Sequence, residues 1–265
     1  MKKYLRKLLY LVSENKYLYR LAKRIVFDHR GENNCEIETN GEMSVLKKYL
    51  KNGDTVFDVG ANVGDWTKTV LGIIPDAAIH SFEPCLGTFS TLKENNFPAN
   101  VILNNFGLGS KNEEKDFYIT GEDSTVNSLY LRNDILDKNN CRKETISLKS
   151  LDNYCAEKNV DRIDFLKIDV EGNEFEVLLG AKRLLSENKI GLIQLEYGGT
   201  YIDSRVFLRD VFDYFHKDNK FSYSFYKILY NKILRVEYSE DLENFQYCNY
   251  LIVNNNFKIA ISGSK

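Results

Sequence analysis

The feature that most constrains this chain is a strand-like apolar run that ends in an acidic residue and passes into a glycine turn. It reads Asp54-Thr55-Val56-Phe57-Asp58-Val59-Gly60-Ala61-Asn62-Val63-Gly64, and a helical pattern follows it. Gly60 and Gly64 can turn the backbone sharply, so we expect a small ligand to approach bare backbone here. The following helix would offer free N–H groups at its start. The run predicts a cofactor site, although a plain turn in another α/β protein would have the same pattern.

Spacing within the turn separates the classes of cofactor. A nicotinamide or flavin dinucleotide site usually has the pattern G-x-G-x-x-G, whereas Asn62 stands here in place of the second glycine. The sequence therefore disfavours a nicotinamide oxidoreductase. Methylation of DNA bases is disfavoured as well, because Pro75, Pro84 and Pro98 are isolated and form no Pro-Pro-aromatic tract.

From residue 54 onward, apolar strand-like runs alternate with amphipathic helical runs. This alternation indicates βαβ units and a largely parallel sheet. The predicted strands cover residues 55–59, 78–83, 101–106, 164–169 and 191–197, with two more at 227–236 and 247–254. One continuous helix is predicted over residues 173–187, after the fourth strand.

Charge and cysteine content limit the partners and the setting. A formal net charge of −2 over 265 residues makes a general nucleic-acid binder a poor fit. The five cysteines are odd in number and form no C-x-x-C pair. This pattern favours reduced thiols in a cytoplasmic protein over a disulfide framework or a zinc site. The oligomeric state cannot be read from the sequence.

The N-terminal region is basic, whereas the chain as a whole is slightly acidic. Its Lys and Arg residues are interleaved with leucines, and its longest uncharged run, residues 8–13, is too short to span a bilayer. We predict a basic amphipathic helical extension over residues 1–45, followed by a single domain over residues 46–265. The extension either caps the domain or uses residues 1–30 for a partner or for peripheral contact with the inner membrane surface.

Three of the predicted strands end in acidic residues. In an open α/β sheet, ligands bind beyond the carboxyl ends of the strands. The first strand ends with Asp58, the second with Glu83, and the fourth with Asp169 and Glu171. A carboxylate at the tip of the second strand can accept hydrogen bonds from both hydroxyls of a ribose, so we assign Glu83 to that role. Glu174 is expected to cap the next helix or to interact with its dipole.

Several motifs, in order, resemble those of the FkbM-type methyltransferases. Residues 168–174 are similar to the family's I-D-V-E-G-x-E signature, with Asn173 at the variable position. The other matching pieces are Asp58-Val59-Gly60-Ala61-Asn62-Val63-Gly64, Ser81-Phe82-Glu83-Pro84, Gly107-Leu108-Gly109 and Ser124-Thr125-Val126-Asn127-Ser128-Leu129. The resemblance covers roughly residues 50–255 and implies an α/β, Rossmann-like fold. That fold is a seven-stranded, mostly parallel sheet with helices on both faces and a C-terminal antiparallel hairpin.

The resemblance also implies that a methyl group is transferred from S-adenosylmethionine to a hydroxyl of a sugar, a glycan or glycolipid, or a natural product. Asp58 would contact the methionine end of the cofactor, through its ammonium or an ordered water. Phe106 or Gly107 would lie beside the adenine. The expected cofactor-binding residues are Asp58, Gly60, Asn62, Gly64, Glu83, Phe106 and Gly107.

Methyl transfer to an alcohol requires alignment of the acceptor and removal of its proton. The candidates for these catalytic roles are Asp169, Glu171 and Glu196, the last at the end of the fifth strand. Helix capping is the alternative role for the first two. The three acids could instead bind a divalent cation that acidifies the acceptor hydroxyl, an alternative that we do not favour. Lys167 would share a strand face with Asp169, so we expect an ion pair.

Two functional classes stay open at this point. The first is an O-methyltransferase that acts on a small-molecule or glycan acceptor. The second is a non-catalytic member that binds the cofactor or a glycan, and the complete set of carboxylates and glycines favours the enzyme. The aromatic residues of the C-terminal part, from Tyr214 to Tyr247, are either ordinary core or a wall of the acceptor site.

Overall fold

A computed structural model describes residues 4, 6, 9–10, 13–119, 127–130, 141–217 and 220–257. Its strands are β1 Thr55–Val59, β2 Ala78–Phe82, β3 Val101–Asn104, β4 Gly107–Gly109, β5 Glu113–Ile119, β6 Arg142–Ser150, β7 Ile163–Ile168, β8 Ile190–Tyr197, β9 Tyr223–Leu229, β10 Lys232–Val236 and β11 Cys248–Asn254. Its helices are α1 Lys16–Arg30, α2 Glu42–Tyr49, α3 Asp65–Ile73, α4 Leu86–Glu94, α5 Leu151–Lys158, α6 Glu174–Leu179, α7 Lys182–Ser186, α8 Thr200–Ser204 and α9 Leu208–His216.

The main sheet has the strand order β10-β9-β11-β8-β7-β1-β2-β3. The strands from β8 to β3 in this order are parallel to one another. β1, β2 and β3 follow one another toward one edge of the sheet, whereas β7 and β8 follow one another toward the other edge. The direction in which strands are added therefore reverses between β1 and β7. A crevice therefore opens beyond the carboxyl ends of β1 and β7, which is where ligands bind in such sheets.

Helices pack on both faces of this sheet, as predicted. Phe57 and Leu166 belong to one buried cluster, together with side chains of α5, α6, α7 and α9. Their chain neighbours Val56 and Phe165 belong to the other, together with α2 and α3. Because successive side chains of a strand point to opposite faces, strands covered on both sides read as nearly continuous apolar runs. The predicted α/β, Rossmann-like class is thus confirmed.

The C-terminal part forms the antiparallel end of the sheet, with one more strand than predicted. β11 lies between β8 and β9 and is antiparallel to both. The single strand predicted over residues 227–236 is wrong, because the chain turns at Tyr230 and Asn231 and β10 pairs back on β9. This two-residue turn lacks the Asn-Gly or Asp-Gly signal that marks most tight hairpins. The main sheet consequently has eight strands.

The single helix predicted over residues 173–187 is also wrong. It is divided into α6 and α7, with a turn at Gly180 and Ala181. At Gly180 a Cβ would overlap the carbonyl of Gly109. This close approach packs the start of the break against β4, which belongs to a smaller sheet of order β4-β6-β5.

The N-terminal region has two parts with different environments. None of the residues of α1 is buried. Residues 31–41, which we call the strap, lie against the sheet instead. There Glu32 forms a buried ion pair with Lys227 of β9, with Nζ and Oε1 2.8 Å apart. The predicted extension over residues 1–45 therefore includes a stretch that packs on the domain, and its division from residues 46–265 as a separate unit stays a prediction.

Among the described residues, no helix is both long enough and apolar enough to cross a membrane.

Candidate functional site

The main cleft lies at the carboxyl ends of the parallel strands and has a volume of about 1080 Å³. Residues from the turn after β1, the tip of β2, the turn after β7 and the end of β8 line it. A smaller cavity of about 380 Å³ lies between α9 and the β9–β10 hairpin, away from these strand ends. The larger cleft is lined by six of the predicted site residues, namely Gly60, Asn62, Glu83, Asp169, Glu171 and Glu196. Asp58, Gly64, Phe106 and Gly107 do not line it.

Asp58 lies at the base of this region and is fully buried. Its Oδ2 accepts a hydrogen bond from Thr67 Oγ1 at 2.7 Å, and its Oδ1 lies 3.5 Å from Lys167 Nζ without a hydrogen bond. Burial raises the pKa of Asp58, against the opposing effects of Lys167 and Thr67. A buried carboxylate oxygen that lacks a hydrogen bond is costly, and it can accept one from a ligand or water.

The turn from Gly60 to Gly64 adopts the sharp conformation that its sequence predicts. Gly60, Asn62 and Gly64 have φ values of 87°, 47° and 91°. Protein atoms fill the space beside both glycines, but Gly60 lines the cleft, so its contact with a ligand through the backbone stays a prediction. A Cβ at Gly60 would overlap the carbonyl oxygen of Asp169, and one at Gly64 would come within 2.7 Å of Leu92. The glycines therefore permit close packing of the chain, while Asn62 lines the cleft.

Glu83 joins the tip of β2 to this turn. Its Oε2 accepts a hydrogen bond from the backbone N–H of Asn62 at 3.1 Å, and its Oε1 accepts one from that of Cys85 at 2.9 Å. The side chain lines the cleft although only 7% of it is exposed. Burial raises its pKa to about 7, and the two hydrogen bonds oppose that shift. Each carboxylate oxygen still has acceptor capacity for a hydroxyl group.

Phe106 and Gly107, the residues expected beside the adenine, do not line the cleft. The Phe106 ring packs on Phe82 and Tyr154, with centroids 5.7 and 5.8 Å apart. A Cβ at Gly107 would lie 2.7 Å from Leu148, so the smaller sheet fills that space. β3 ends at Asn104 and β4 begins at Gly107, so Phe106 lies in the connection between the two sheets and not at the tip of the strand, where it was expected.

The three predicted catalytic acids do converge. Carboxylate oxygens of Asp169, Glu171 and Glu196 all lie within 4.8 Å of one another, and each residue is partly buried. The expected ion pair is present as well, with Lys167 Nζ 3.0 Å from Asp169 Oδ2. Burial raises the pKa of Glu196 well above its usual value, and the carboxylates of Asp169 and Glu171 raise it further. The cluster thus contains one carboxyl group with an increased affinity for a proton.

A divalent cation at this cluster would have to compete with the ammonium of Lys167. This ammonium is buried, which disfavours its charge, but Asp169 and Asp58 outweigh that effect and raise its pKa. It therefore stays charged and occupies Oδ2 of Asp169. The distances among the three acids permit a metal, but the paired lysine makes this the weaker interpretation.

Glu174 lies in the first turn of α6, where its carboxylate can interact with the helix dipole, and its hydrogen bonds go to the turn before that helix. Its Oε1 accepts hydrogen bonds from the backbone N–H groups of Val170 and Gly172, at 3.0 and 3.1 Å. It thus holds the turn that carries Glu171, whose backbone has a φ of 53°. Burial raises the pKa of Glu174 to about 7. Of the family's polar loop, residues 124–126 lie outside the described residues, and Ser128 donates a hydrogen bond to the carbonyl of Glu171 at 2.7 Å.

One wall of the cleft is formed by residues that no sequence motif marks. The strap contributes Cys35, Glu36 and Glu38, and Glu42 follows at the start of α2. No local motif marks these residues, and only the long-range packing of the strap on the sheet brings them to the site. Of the C-terminal aromatic residues, Tyr247 lines the cleft, whereas most of the others belong to the core.

Comparison with known proteins adds a family assignment to this geometry. The model of the methyltransferase FkbM domain matches residues 58–225. The chain is 26% identical over 153 residues to the 2-O-methyltransferase NoeI of Sinorhizobium fredii, an alignment that covers 54% of this chain and 62% of that protein. It is 28% identical over 166 residues to the hexuronic acid methyltransferase AglP of Haloferax volcanii. That alignment covers 61% of this chain and 65% of AglP. The chain thus spans less than two thirds of the length of these curated relatives.

Proposed function

Because the chain belongs to the methyltransferase FkbM-domain family, we propose that it is an S-adenosylmethionine-dependent O-methyltransferase. Its acceptor would be a hydroxyl of a sugar, a glycan or glycolipid, or another hydroxylated small molecule. The observation that carries the proposal is the meeting of two sets of groups in one cleft. Glu83 and the turn after β1 provide groups suited to the cofactor, and the three acids after β7 and β8 provide groups suited to an acceptor.

The residues at the β1 and β2 ends fit this cofactor. Glu83 has acceptor capacity for two ribose hydroxyls while its backbone hydrogen bonds hold it in place. Oδ1 of Asp58 accepts no hydrogen bond, although it lies 3.5 Å from the ammonium of Lys167, so it keeps acceptor capacity for the cofactor's ammonium, directly or through a water. When bound, the cofactor supplies a methyl group on a positively charged sulfur, ready for displacement.

We assign proton removal from the acceptor hydroxyl to Glu196. Its raised pKa gives it a higher affinity for the acceptor's proton than an ordinary carboxylate has. Asp169 is engaged by the ammonium of Lys167 and is better suited to positioning the acceptor. Glu171 would share that positioning role from the turn that Glu174 holds.

The alternative, a member of the fold that binds but does not react, is not favoured. The relatives to which this chain is similar in sequence are named as methyltransferases. The carboxylates that the reaction needs are all present and converge in this chain.

Calorimetric titration with S-adenosylhomocysteine tests the proposal at the cofactor site. Replacement of Glu83 by Gln should weaken binding about tenfold to a hundredfold, because hydrogen bonds worth about 1–3 kcal/mol are lost. Glu174→Gln is a matched control, since Glu174 is also buried and also accepts two backbone N–H groups, but does not line the cleft. Its affinity should stay close to that of the parent. Absence of binding by the parent would refute the proposed cofactor.

A location at a membrane surface forms a second part of the proposal. The large apolar side chains of α1 are exposed, among them Leu18, Leu21 and Ile25. These three lie at helical spacing on one face, and the basic residues Lys16, Arg20, Lys23 and Arg24 lie on the other side of the helix. A helix of this kind suits the interface of an anionic membrane. We propose that α1 contacts such a surface.

A further inference from the structure

The strap is held firmly over one end of the cleft. In addition to the buried pair between Glu32 and Lys227, the backbone N–H of Asn33 donates a hydrogen bond to the carbonyl of Tyr247 at 2.8 Å. Gly31 and Gly41 have positive φ values, and a Cβ at either would collide with Leu229 at the end of β9. These contacts fix the strap at both ends, so the side chains between them belong to a defined wall of the site.

This wall adds negative charge to an acceptor region that is already acidic. Glu36 and Glu38 are exposed on the strap and line the cleft, as do Asp169, Glu171 and Glu196 of the acid cluster. The pKa of the Cys35 thiol responds to acids of the strap region and of the acid cluster. Burial raises its pKa first, and Glu36, Glu42, Asp169 and Glu171 raise it further. The geometry agrees, since Glu42, which follows the strap, accepts a hydrogen bond from Asn249 Nδ2 at 3.2 Å, and Asn249 pairs with Glu196 across β11 and β8. The strap and the acid cluster therefore meet at the same end of the cleft.

Few positive charges offset these acids. Among the described residues that line the cleft, the basic ones are Lys68 and Lys167. Lys68 forms an ion pair with Asp65 at 2.9 Å, and Lys167 is held between Asp58 and Asp169. Among these described lining residues, an acceptor that carries a carboxylate or phosphate would meet no cation that is not already paired. Tyr247, which also lines this end, offers an aromatic face of the kind that attracts ammonium groups.

We propose that the acceptor carries an ammonium group near its reactive hydroxyl, as an amino sugar does, and that Glu36 and Glu38 select it. This inference rests on the proposed function, because it names the substrate class of the same cleft. It also predicts that a hexuronic acid is a poor acceptor for this chain, since both the strap acids and the acid cluster would repel the carboxylate of such an acceptor.

Three tetrasaccharides of equal length but different charge provide the test. They are the tetramers of glucosamine, N-acetylglucosamine and galacturonate, titrated calorimetrically with and without S-adenosylhomocysteine. We expect the parent protein to bind the glucosamine tetramer about tenfold more tightly than the N-acetylated one, and the galacturonate tetramer least tightly. The preference should decrease at higher salt, because exposed charges are screened.

The double variant Glu36→Gln/Glu38→Gln should reduce this preference to about twofold. The matched control is Glu114→Gln/Glu240→Gln, which removes the same charge at two exposed positions that do not line the cleft. The control should keep the full preference, and all three proteins should bind S-adenosylhomocysteine equally.

Equal affinity for the three tetramers, or lack of binding of the glucosamine tetramer, would overturn the inference. Retention of the full preference in the Glu36/Glu38 variant would overturn the role of the strap. Failure of S-adenosylhomocysteine binding would count against the proposed function instead. The titrations of the tetramers without S-adenosylhomocysteine measure the charge preference separately.

Discussion

Glu174 gives a prediction at the scale of one residue. Burial raises the pKa of its carboxyl from 4.5 to about 7 in the folded protein. The folded state therefore binds this proton more tightly than the unfolded state, so stability decreases as pH rises from about 4.5 to about 7. The size of that decrease is about 3 kcal/mol for a shift of this extent. Glu174→Gln should abolish this contribution.

Urea unfolding of the parent and the Gln variant at about pH 5 and about pH 8 measures the difference. The parent should lose more unfolding free energy between the two pH values than the variant does. Part of the loss should persist in the variant, because the pKa of Glu83 is raised in the same direction. An identical pH dependence in the two proteins would show that Glu174 does not titrate in this way.

Single residues were predictable where the strand ends alone determine their position. Asp58, Glu83 and the acid cluster were found in this way, because the carboxyl ends of parallel strands share one edge of the sheet. Phe106 was misplaced because its position depends on where β3 ends, and helix and strand boundaries are the least reliable part of a sequence interpretation. Glu36 and Glu38 could not be found, since their position depends on packing between the strap and β9, which lies nearly two hundred residues away in the sequence.

At the scale of elements, the turn after β1 packs directly on the end of β7, and this contact shapes the base of the cleft. Gly60 has a φ of 87° and abuts the carbonyl of Asp169, whereas Gly53 has a φ of 83° with open space beside it. Gly53→Ala should cost about 1–2 kcal/mol of unfolding free energy through its backbone conformation alone. Gly60→Ala should cost about 1–3 kcal/mol more, because the added methyl group forces the two turns apart.

Chemical denaturation of both variants measures this difference, and titration with S-adenosylhomocysteine adds a functional readout. Gly60→Ala should also weaken that binding, since the turn carries Asn62, which donates its backbone N–H to Glu83. Equal destabilisation by the two substitutions would mean that the two turns can move apart without a loss of stability, contrary to the close packing seen between them.

The order and type of the elements followed from the sequence more reliably than their interruptions did. Apolar runs between turn residues marked the parallel strands, because these are buried on both faces. The hairpin at Tyr230 and the break at Gly180 lacked such a signal. The hairpin is stabilised by pairing with β11, and the break by the approach of Gly109. Both are therefore effects of tertiary packing.

At the scale of the whole molecule, α1 and the strap divide the N-terminal region into two parts with different roles. No residue of α1 is buried, and the side chain that ties its end to the domain is that of Arg30, which donates hydrogen bonds to Glu32 and to the carbonyl of Asp241. The strap is tied to the sheet by a buried ion pair and two tightly packed glycines. Removal of residues 1–29, which keeps Arg30, should therefore leave both the unfolding free energy of the domain and its affinity for S-adenosylhomocysteine close to those of the full chain.

The same removal should abolish binding to anionic vesicles, which co-sedimentation measures directly. A full-length variant, Leu21→Gln/Ile25→Gln, separates the apolar contribution from the charge, because it keeps every basic residue of α1. It should bind anionic vesicles more weakly than the parent, since burial of each large apolar side chain contributes about 1.5–3 kcal/mol. Neutral vesicles should bind the parent weakly, because the basic residues then have no anionic lipid to contact. Equal partitioning of the parent and the truncated protein would refute the membrane proposal and leave α1 as a surface for a protein partner.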